Sequence, residues 1–197
     1  NPYKLTDEEQ EIVDKLHRSF VGSEKLRKHI RQIFRNGCMY TVTNSNLLFH
    51  ASIPLNADGS LREIEILGKK YKGKALLEKV GHLIRTAYFE DAKTEEQQFA
   101  KDYIWYLWCG KDSPLFCKSK MATFERYFIA DKEIGKEAKG NYFRLRDDEA
   151  ICDSILDAFG VKGDNRHIIN GHVPVRAKKG ESPIKGGGKL IVIDGGF

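Results

Sequence analysis

The residues with the clearest capacity for chemistry lie near the end of the chain, in the run Asn170-Gly171-His172-Val173-Pro174. The apolar residues before this run predict a short strand that delivers the histidine into a turn. A glycine before the histidine and a proline two residues after it constrain the backbone sharply, so that the imidazole can face a cleft. The pattern therefore indicates a metal-binding or phosphate-binding position at His172.

A second histidine, His50, stands at the carboxyl end of another predicted strand, Asn46-Leu47-Leu48-Phe49-His50. This strand is expected to pair with residues 38–43 across the tight Asn44-Ser45 turn. Taken alone, the context favours a strand-end histidine that is hydrogen-bonded to backbone carbonyls. Its local sequence does not by itself indicate a metal site.

The elements that must position these histidines are predicted from periodicity and capping. Thr6-x-x-Glu9 is a capping box that opens a helix over residues 6–20, and a second helix ends at Asn36-Gly37. We expect residues 1–37 to form a helical hairpin, and residues 38–197 to form a sheet with packed helices that carries both histidines. Three further helices are predicted: residues 73–89, a helix capped by Thr94, and residues 147–159.

The composition excludes several classes of protein. With 41% apolar and 31% charged residues, the chain has no apolar run near the ~18 residues of a membrane span, so no membrane partner is expected. The four cysteines form no C-x-x-C pair, which argues against a zinc knuckle or a disulfide framework and suits a reducing cytoplasm. The net charge of +5 suits anionic small molecules as well as nucleic acid.

A basic module that binds nucleic acid without catalysis is the alternative from a different class. Such a module would need a basic face with exposed aromatic residues. The aromatic residues after Thr94, among them Tyr103, Tyr106 and Trp108, are spaced as core residues, and the lysines are dispersed. No nucleic-acid partner is therefore expected.

The two histidine segments resemble the last two metal-binding blocks of the calcineurin-like metallophosphoesterases. Leu48-Phe49-His50-Ala51-Ser52-Ile53-Pro54 resembles the isolated-histidine block, and Asn170-Gly171-His172 resembles the Gly-His block. Longer runs are similar, in order, to the class III fructose-1,6-bisphosphatases of Firmicutes and related bacteria: residues 108–110, 120–128, 145–152 and 167–197. The resemblance therefore spans most of the chain.

The resemblance implies a cytoplasmic gluconeogenic enzyme that hydrolyses the 1-phosphate of fructose 1,6-bisphosphate at a dinuclear Mn2+ site. It implies that His50 and His172 are ligands of the second metal ion, a role that neutral imidazole suits. Two metal ions can activate water and neutralise phosphate oxygens during displacement. A metallophosphoesterase acting on another phosphoester, such as a phosphoprotein or a dinucleotide polyphosphate, fits the two histidine blocks equally well.

The sequence departs from the superfamily pattern at two points. Pro174 stands where many members have a second histidine, an arrangement that resembles the protein Ser/Thr phosphatase branch. No Asp-x-His occurs, and Asp58-Gly59 and Gly163-Asp164 are predicted turns that no Gly-Asn-His follows, so we count the three earlier metal blocks as absent. We therefore expect one domain over residues 1–197 that is the carboxyl-proximal part of a larger catalytic domain and is inactive alone, and we assign no catalytic residue within it.

The implied fold is α/β or α+β: a layered mixed β-sheet with packed helices, forming part of a metallophosphoesterase αββα sandwich. One face of the sheet would then lack its partner, which would favour self-association or pairing with the missing half of the domain. In the basic, glycine-rich segment after the Gly-His run, Arg176 and Lys185 are predicted to bind the sugar bisphosphate, on position and basicity alone.

Overall fold

The computed structural model describes residues 4–90 and 93–194 and divides the chain into two units, residues 1–37 and 38–197. The two glycines that close the predicted last strand, Gly195 and Gly196, lie outside the described residues. The helices are α1 (Asp7–Gly22), α2 (Glu24–Asn36), α3 (Gly73–Phe89), α4 (Glu95–Cys109), α5 (Thr123–Phe128), α6 (Asn141–Leu145) and α7 (Glu149–Ala158). The strands are β1 (Tyr40–Thr43), β2 (Asn46–Phe49), β3 (Ile64–Ile66), β4 (Lys69–Tyr71), β5 (His167–Asn170), β6 (Ile184–Lys185) and β7 (Leu190–Val192). None of the helices in these ranges is long and apolar enough to cross a membrane.

The first unit consists of two consecutive helices. The predicted capping box opens α1: the Glu9 amide donates to the Thr6 hydroxyl, and the Thr6 amide donates to the Glu9 carboxylate. Both predicted helices are confirmed, but the described residues do not show a packed hairpin. Ser23 alone separates α1 from α2, and helices that fold back on one another need a longer connection. The apolar face of α1 consequently stays exposed within the unit, with Phe20 66% accessible.

The second unit is built on a five-stranded mixed sheet in the order β1-β2-β5-β7-β6. Strands β2, β5 and β7 are parallel neighbours, and β1 and β6 pair antiparallel at the two edges. The predicted β1–β2 hairpin is confirmed. Its two turn residues, Asn44 and Ser45, have φ of 50° and 59°, the left-handed conformation that a two-residue hairpin turn requires.

The two faces of this sheet differ in burial. Leu47, Ile168 and Leu190 are opposite one another on β2, β5 and β7, and each is 0% exposed. The adjacent register row points to the other face and crosses all five strands. It consists of Thr41, Leu48, Ile169, Ile191 and Ile184, and every member is half-buried or exposed. We call these five residues the outer row. Within unit 2, the sheet is therefore covered fully on one face only.

Short helices pack on the covered face. Tyr142 and Phe143 of α6 and Ile155 and Leu156 of α7 join the sheet residues in one core cluster. A second cluster forms where α3 packs on α4 over Ile66 of the β3–β4 hairpin. The mixed α/β class and layered sheet that the sequence predicts are confirmed.

The aromatic residues of α4 do not all behave as core residues. Tyr103 and Leu107 are buried as predicted, but Trp108 is 65% exposed. The aromatic residues of α4 are therefore divided between its buried face and its exposed face. Helices α5 and α6 are too short to show a period and were not predicted.

Candidate metal centre

The topology brings the two predicted histidines to one edge of the sheet. Because β2 and β5 are adjacent and parallel, their carboxyl ends meet, and ligands of α/β sheets bind at such edges. His50 directly follows β2, and His172 is two residues past β5. The Gly171 amide donates to the His50 carbonyl at 2.8 Å, which ties the two strand ends together.

Asn170 makes the second tie between the strand ends. Its Nδ2 donates to the Ala51 carbonyl at 2.9 Å, and the side chain is buried. Asn170 is thus hydrogen-bonded to the residue after one histidine and lies two residues before the other. The spacing of the two histidines is thus fixed by one backbone hydrogen bond and one buried side-chain hydrogen bond.

The backbone at Gly171 and His172 is tightly constrained. A Cβ at position 171 would lie 3.3 Å from Cβ of Asp194, two residues past β7, which is tighter than an ordinary van der Waals contact. His172 itself has φ of 70°, in the left-handed region that few side chains occupy. Strained backbone held in place by its surroundings is characteristic of functional sites. The constrained turn predicted around His172 is present.

The two imidazoles face each other through one nitrogen each. His50 Nε2 lies 3.2 Å from His172 Nδ1, and His172 Nε2 lies 3.1 Å from the Phe116 carbonyl oxygen. Since a carbonyl can only accept, His172 Nε2 carries the proton and Nδ1 presents its lone pair. The Phe116 carbonyl therefore fixes the tautomer in which His172 can act as a ligand through Nδ1.

The separation of the two nitrogens fits a shared metal ion. Imidazole nitrogens bind divalent metals such as Zn2+ at about 2.0–2.1 Å, which places two such ligands of one ion roughly 3 Å apart. His50 Nε2 and His172 Nδ1 meet this requirement. No third His, Cys, Asp or Glu joins them into a larger group within residues 4–90 and 93–194. Within those ranges the pair offers two nitrogen donors to a metal ion.

Burial and neighbouring charge keep His172 neutral. Burial lowers the pKa of His172 below its ordinary value of 6.5, and His50 and Lys118 act in the same direction. The Phe116 carbonyl and Asp194 oppose the shift without reversing it. The Phe116 and Phe143 rings, 6.2 and 6.3 Å from the His172 ring between centroids, supply the apolar surroundings. A neutral imidazole is the form that binds a metal ion.

We expect the pKa of His172, measured by NMR titration of its ring protons without metal, to lie below the ordinary histidine value of 6.5. Because the folded state disfavours the proton, the unfolded chain takes it up first as the pH falls. His172 therefore contributes stability above about pH 6.5 that is lost on acidification. Urea unfolding of the wild type and of His172→Gln between about pH 8 and pH 5 measures this loss. An NMR titration midpoint of His172 above 6.5 would contradict it.

Sequence reasoning missed three groups that position the pair. Asn170 was part of the motif, but nothing in its type showed that its side chain would reach Ala51. Phe116 contributes a backbone carbonyl, which leaves no signature in sequence. Phe143 lies on a helix too short to predict.

The two predicted substrate residues lie in different surroundings. Lys185 is on β6 opposite Leu190, the first residue of β7, so it lies toward the amino ends of the parallel strands, away from the histidines. Its ammonium forms ion pairs with Asp147 at 3.2 Å and Glu181 at 3.3 Å, and its side chain is 12% exposed. As a substrate ligand, Lys185 stays a prediction that its position does not favour.

Arg176 is better placed to meet a ligand. It follows the histidine turn, where the Val175 amide donates to the Asp194 carbonyl, and it is exposed. Its guanidinium makes no ion pair with any residue in the described ranges, and its backbone amide donates to Glu181. Its role in binding substrate also stays a prediction.

The fold and the site define a mixed α/β chain with a pair of metal-competent histidines at the carboxyl edge of its parallel strands. The chain belongs to the Firmicute fructose-1,6-bisphosphatase family, whose pattern it matches over residues 1–197. The membership predicted from the histidine blocks and the longer runs is thereby confirmed.

Individual relatives agree with the family match. The chain is 70% identical over 197 residues to the class 3 fructose-1,6-bisphosphatase of Phocaeicola vulgatus, 64% to that of Bacteroides fragilis and 52% to that of Clostridium botulinum. Each comparison covers 100% of this chain but only 30% of the relative. The chain thus spans about a third of the length of the curated relatives it matches. No solved structure matches it.

Proposed function

We propose that the full-length polypeptide that carries this chain hydrolyses fructose 1,6-bisphosphate to fructose 6-phosphate and inorganic phosphate, as a cytoplasmic enzyme of gluconeogenesis. The family match over the whole chain supports the activity. The observation that carries the proposal is the 3.2 Å approach of His50 Nε2 to His172 Nδ1 at the carboxyl edge of the sheet. The Phe116 carbonyl holds His172 Nε2, so that His172 Nδ1 is the nitrogen directed at His50.

The pair is proposed to hold one ion of a dinuclear Mn2+ site. When bound, the metal ions would supply Lewis-acid stabilisation of the phosphoryl oxygens and activation of water. The residues of this chain hold the ligands in place. Asn170 and Gly171 fix the distance between the strand ends, and the Phe116 carbonyl orients the His172 ring. The Phe116 and Phe143 rings limit the access of water to one side of that imidazole.

We expect this 197-residue chain alone to bind Mn2+ weakly and to release essentially no phosphate from fructose 1,6-bisphosphate. Two nitrogen ligands are fewer than the complete set a tightly held ion requires. The full-length polypeptide should be active under the same conditions. Phosphate release by both proteins, measured with and without added Mn2+, tests the expectation. Robust metal-dependent turnover by the isolated chain would show that the site is complete without further residues.

We also propose that the outer row drives self-association of the isolated chain. Ile184 is 59% exposed on this row, and its neighbours extend an apolar surface across the sheet. A groove of about 270 Å³ lies along the same face, between Leu48, Ile169 and Leu115. In the full-length polypeptide, the rest of the domain is proposed to cover this surface.

Sedimentation velocity over a range of concentrations tests the association. Ile184→Lys should shift the chain toward monomer, because a charge in the row must be desolvated on contact. Leu67→Lys is the matched control, since Leu67 is also exposed, in the β3–β4 turn, but lies outside the row. A wild-type chain that stays monomeric at high concentration would refute the proposal.

A further inference from the structure

A basic cleft lies beside the histidine pair in unit 2. Its volume is about 250 Å³, and its wall includes four cationic side chains, Arg62, Lys111, Lys118 and Lys139, and the carboxylate of Asp112. Four cationic side chains against one carboxylate give the lining of the cleft a net positive charge. We refer to this cavity as the basic cleft.

Only part of this positive charge is neutralised by ion pairs. Arg62 pairs with Asp112 at 3.3 Å, and Lys118 pairs with Glu137 at 3.1 Å. Lys111 and Lys139 form no ion pair with any residue in the described part of the chain. Lys139 acts on Glu181 only as the smallest of several influences on the pKa of that carboxyl, of which the Arg176 amide is the largest. Two of the lysines that line the cleft thus have no carboxylate partner in the described part of the chain.

The walls of the basic cleft are held in place by backbone pairing. Lys118 and Lys139 form an antiparallel bridge. Next to it, the Gly140 amide donates to the Cys117 carbonyl at 2.9 Å, and the Ser119 amide donates to the Ala138 carbonyl at 2.8 Å. The lysine backbones therefore do not have to be ordered when a ligand binds, which lowers the entropic cost of binding.

The same wall is connected directly to His172. Phe116, whose carbonyl accepts from His172, precedes Cys117 in the cleft wall. The Lys118 ammonium is 5.4 Å from the Phe116 ring centroid, and that ring is 6.2 Å from the His172 ring. Cys117, with φ of 51°, reverses the backbone between the carbonyl that meets the histidine and the lysine that lines the cleft. The three consecutive residues 116–118 therefore connect the histidine pair with the wall of the basic cleft.

We propose that the basic cleft binds one of the two phosphate groups of a sugar bisphosphate, the one that the enzyme does not hydrolyse. This inference rests on the proposed function and extends it to substrate recognition. A phosphate dianion takes charge-assisted hydrogen bonds from lysine and arginine, and the two lysines without ion pairs supply them here. The site distinguishes a bisphosphate from a monophosphate ester, which has no second anion to place in the cleft.

The double substitution Lys111→Glu/Lys139→Glu in the full-length polypeptide tests this role. We expect kcat/KM for fructose 1,6-bisphosphate, divided by kcat/KM for p-nitrophenyl phosphate, to fall by about tenfold or more, mainly through KM. Lys101→Glu, an exposed lysine on α4 outside the cleft, is the matched control and should leave the ratio unchanged. An unchanged ratio in the double variant, or equal losses on both substrates, would overturn the proposal.

Binding of fructose 6-phosphate, measured by calorimetry, separates this inference from the proposed activity. Fructose 6-phosphate carries only the phosphate that is proposed to bind in the basic cleft. Its affinity should fall about tenfold or more in the double variant. The double variant could bind fructose 6-phosphate more weakly while the full-length polypeptide fails to hydrolyse the bisphosphate. In that case the assignment of the cleft would stand and the proposed reaction would be wrong. Fructose 6-phosphate could instead bind equally to the wild type and the double variant, while inorganic phosphate changes the turnover of the wild type only. The cleft would then be a regulatory anion site, and the proposal would fail.

Discussion

Replacing His172 by alanine in the full-length polypeptide should lower kcat/KM for fructose 1,6-bisphosphate by more than about a hundredfold. Groups that only orient a metal ligand typically contribute 10- to 100-fold to affinity or activity, and a ligand itself should contribute more. His50→Ala should have a similar effect, because His50 Nε2 lies 3.2 Å from His172 Nδ1, close enough for both nitrogens to bind one ion. Steady-state phosphate release over a range of Mn2+ concentrations provides the measurement.

The double variant makes this test sharper. If both histidines hold one ion, losing the second after the first should cost little more, since residues that act as a unit are strongly non-additive. His82→Ala is the matched control, because His82 is exposed on α3, and it should keep wild-type activity. Losses that multiply in the double variant would mean that the two imidazoles act independently.

Two neighbouring residues of β5 should respond very differently to truncation in the isolated chain. Ile168→Ala should lower the free energy of unfolding by about 3 kcal/mol, since it leaves a cavity in a fully buried row. Ile169→Ala should cost about 1 kcal/mol, because Ile169 points to the half-exposed outer row. Urea unfolding followed by circular dichroism, at a protein concentration low enough to suppress association, measures both.

The two substitutions replace the same residue type at neighbouring positions of one strand. The difference between their losses of stability therefore reports the difference between the two faces of the sheet. Equal losses would mean that the outer row is as well covered as the inner one. A small loss at Ile168 would place the core on the wrong face of the sheet.

Much of the fold could be predicted because its elements carry local signals. The capping box at Thr6, the Asn44-Ser45 turn and the apolar period of α3 each specify their element through neighbouring residues. The helical hairpin could not be predicted reliably in the same way. It depends on whether a single linking residue lets two helices fold back, which is a property of backbone geometry and not of the apolar pattern.

The site could be predicted only in part, for a related reason. His50 and His172 stand out by residue type and by their places at strand ends. The carbonyl that fixes the His172 tautomer belongs to a phenylalanine 56 positions away in sequence, and any residue could supply it. Likewise, the basic cleft gathers Arg62, Lys111, Lys118 and Lys139 from separate segments. The sequence showed these lysines only as dispersed charge.

The central claim is that His50 and His172 bind the same metal ion. Crystals of the full-length polypeptide grown with Mn2+ test it most directly, through anomalous scattering at the manganese edge. The structure predicts a peak within bonding distance, about 2.2 Å, of both His50 Nε2 and His172 Nδ1, with His172 Nε2 still donating to the Phe116 carbonyl. A manganese peak elsewhere, with the two imidazoles still in contact with each other, would contradict the claim.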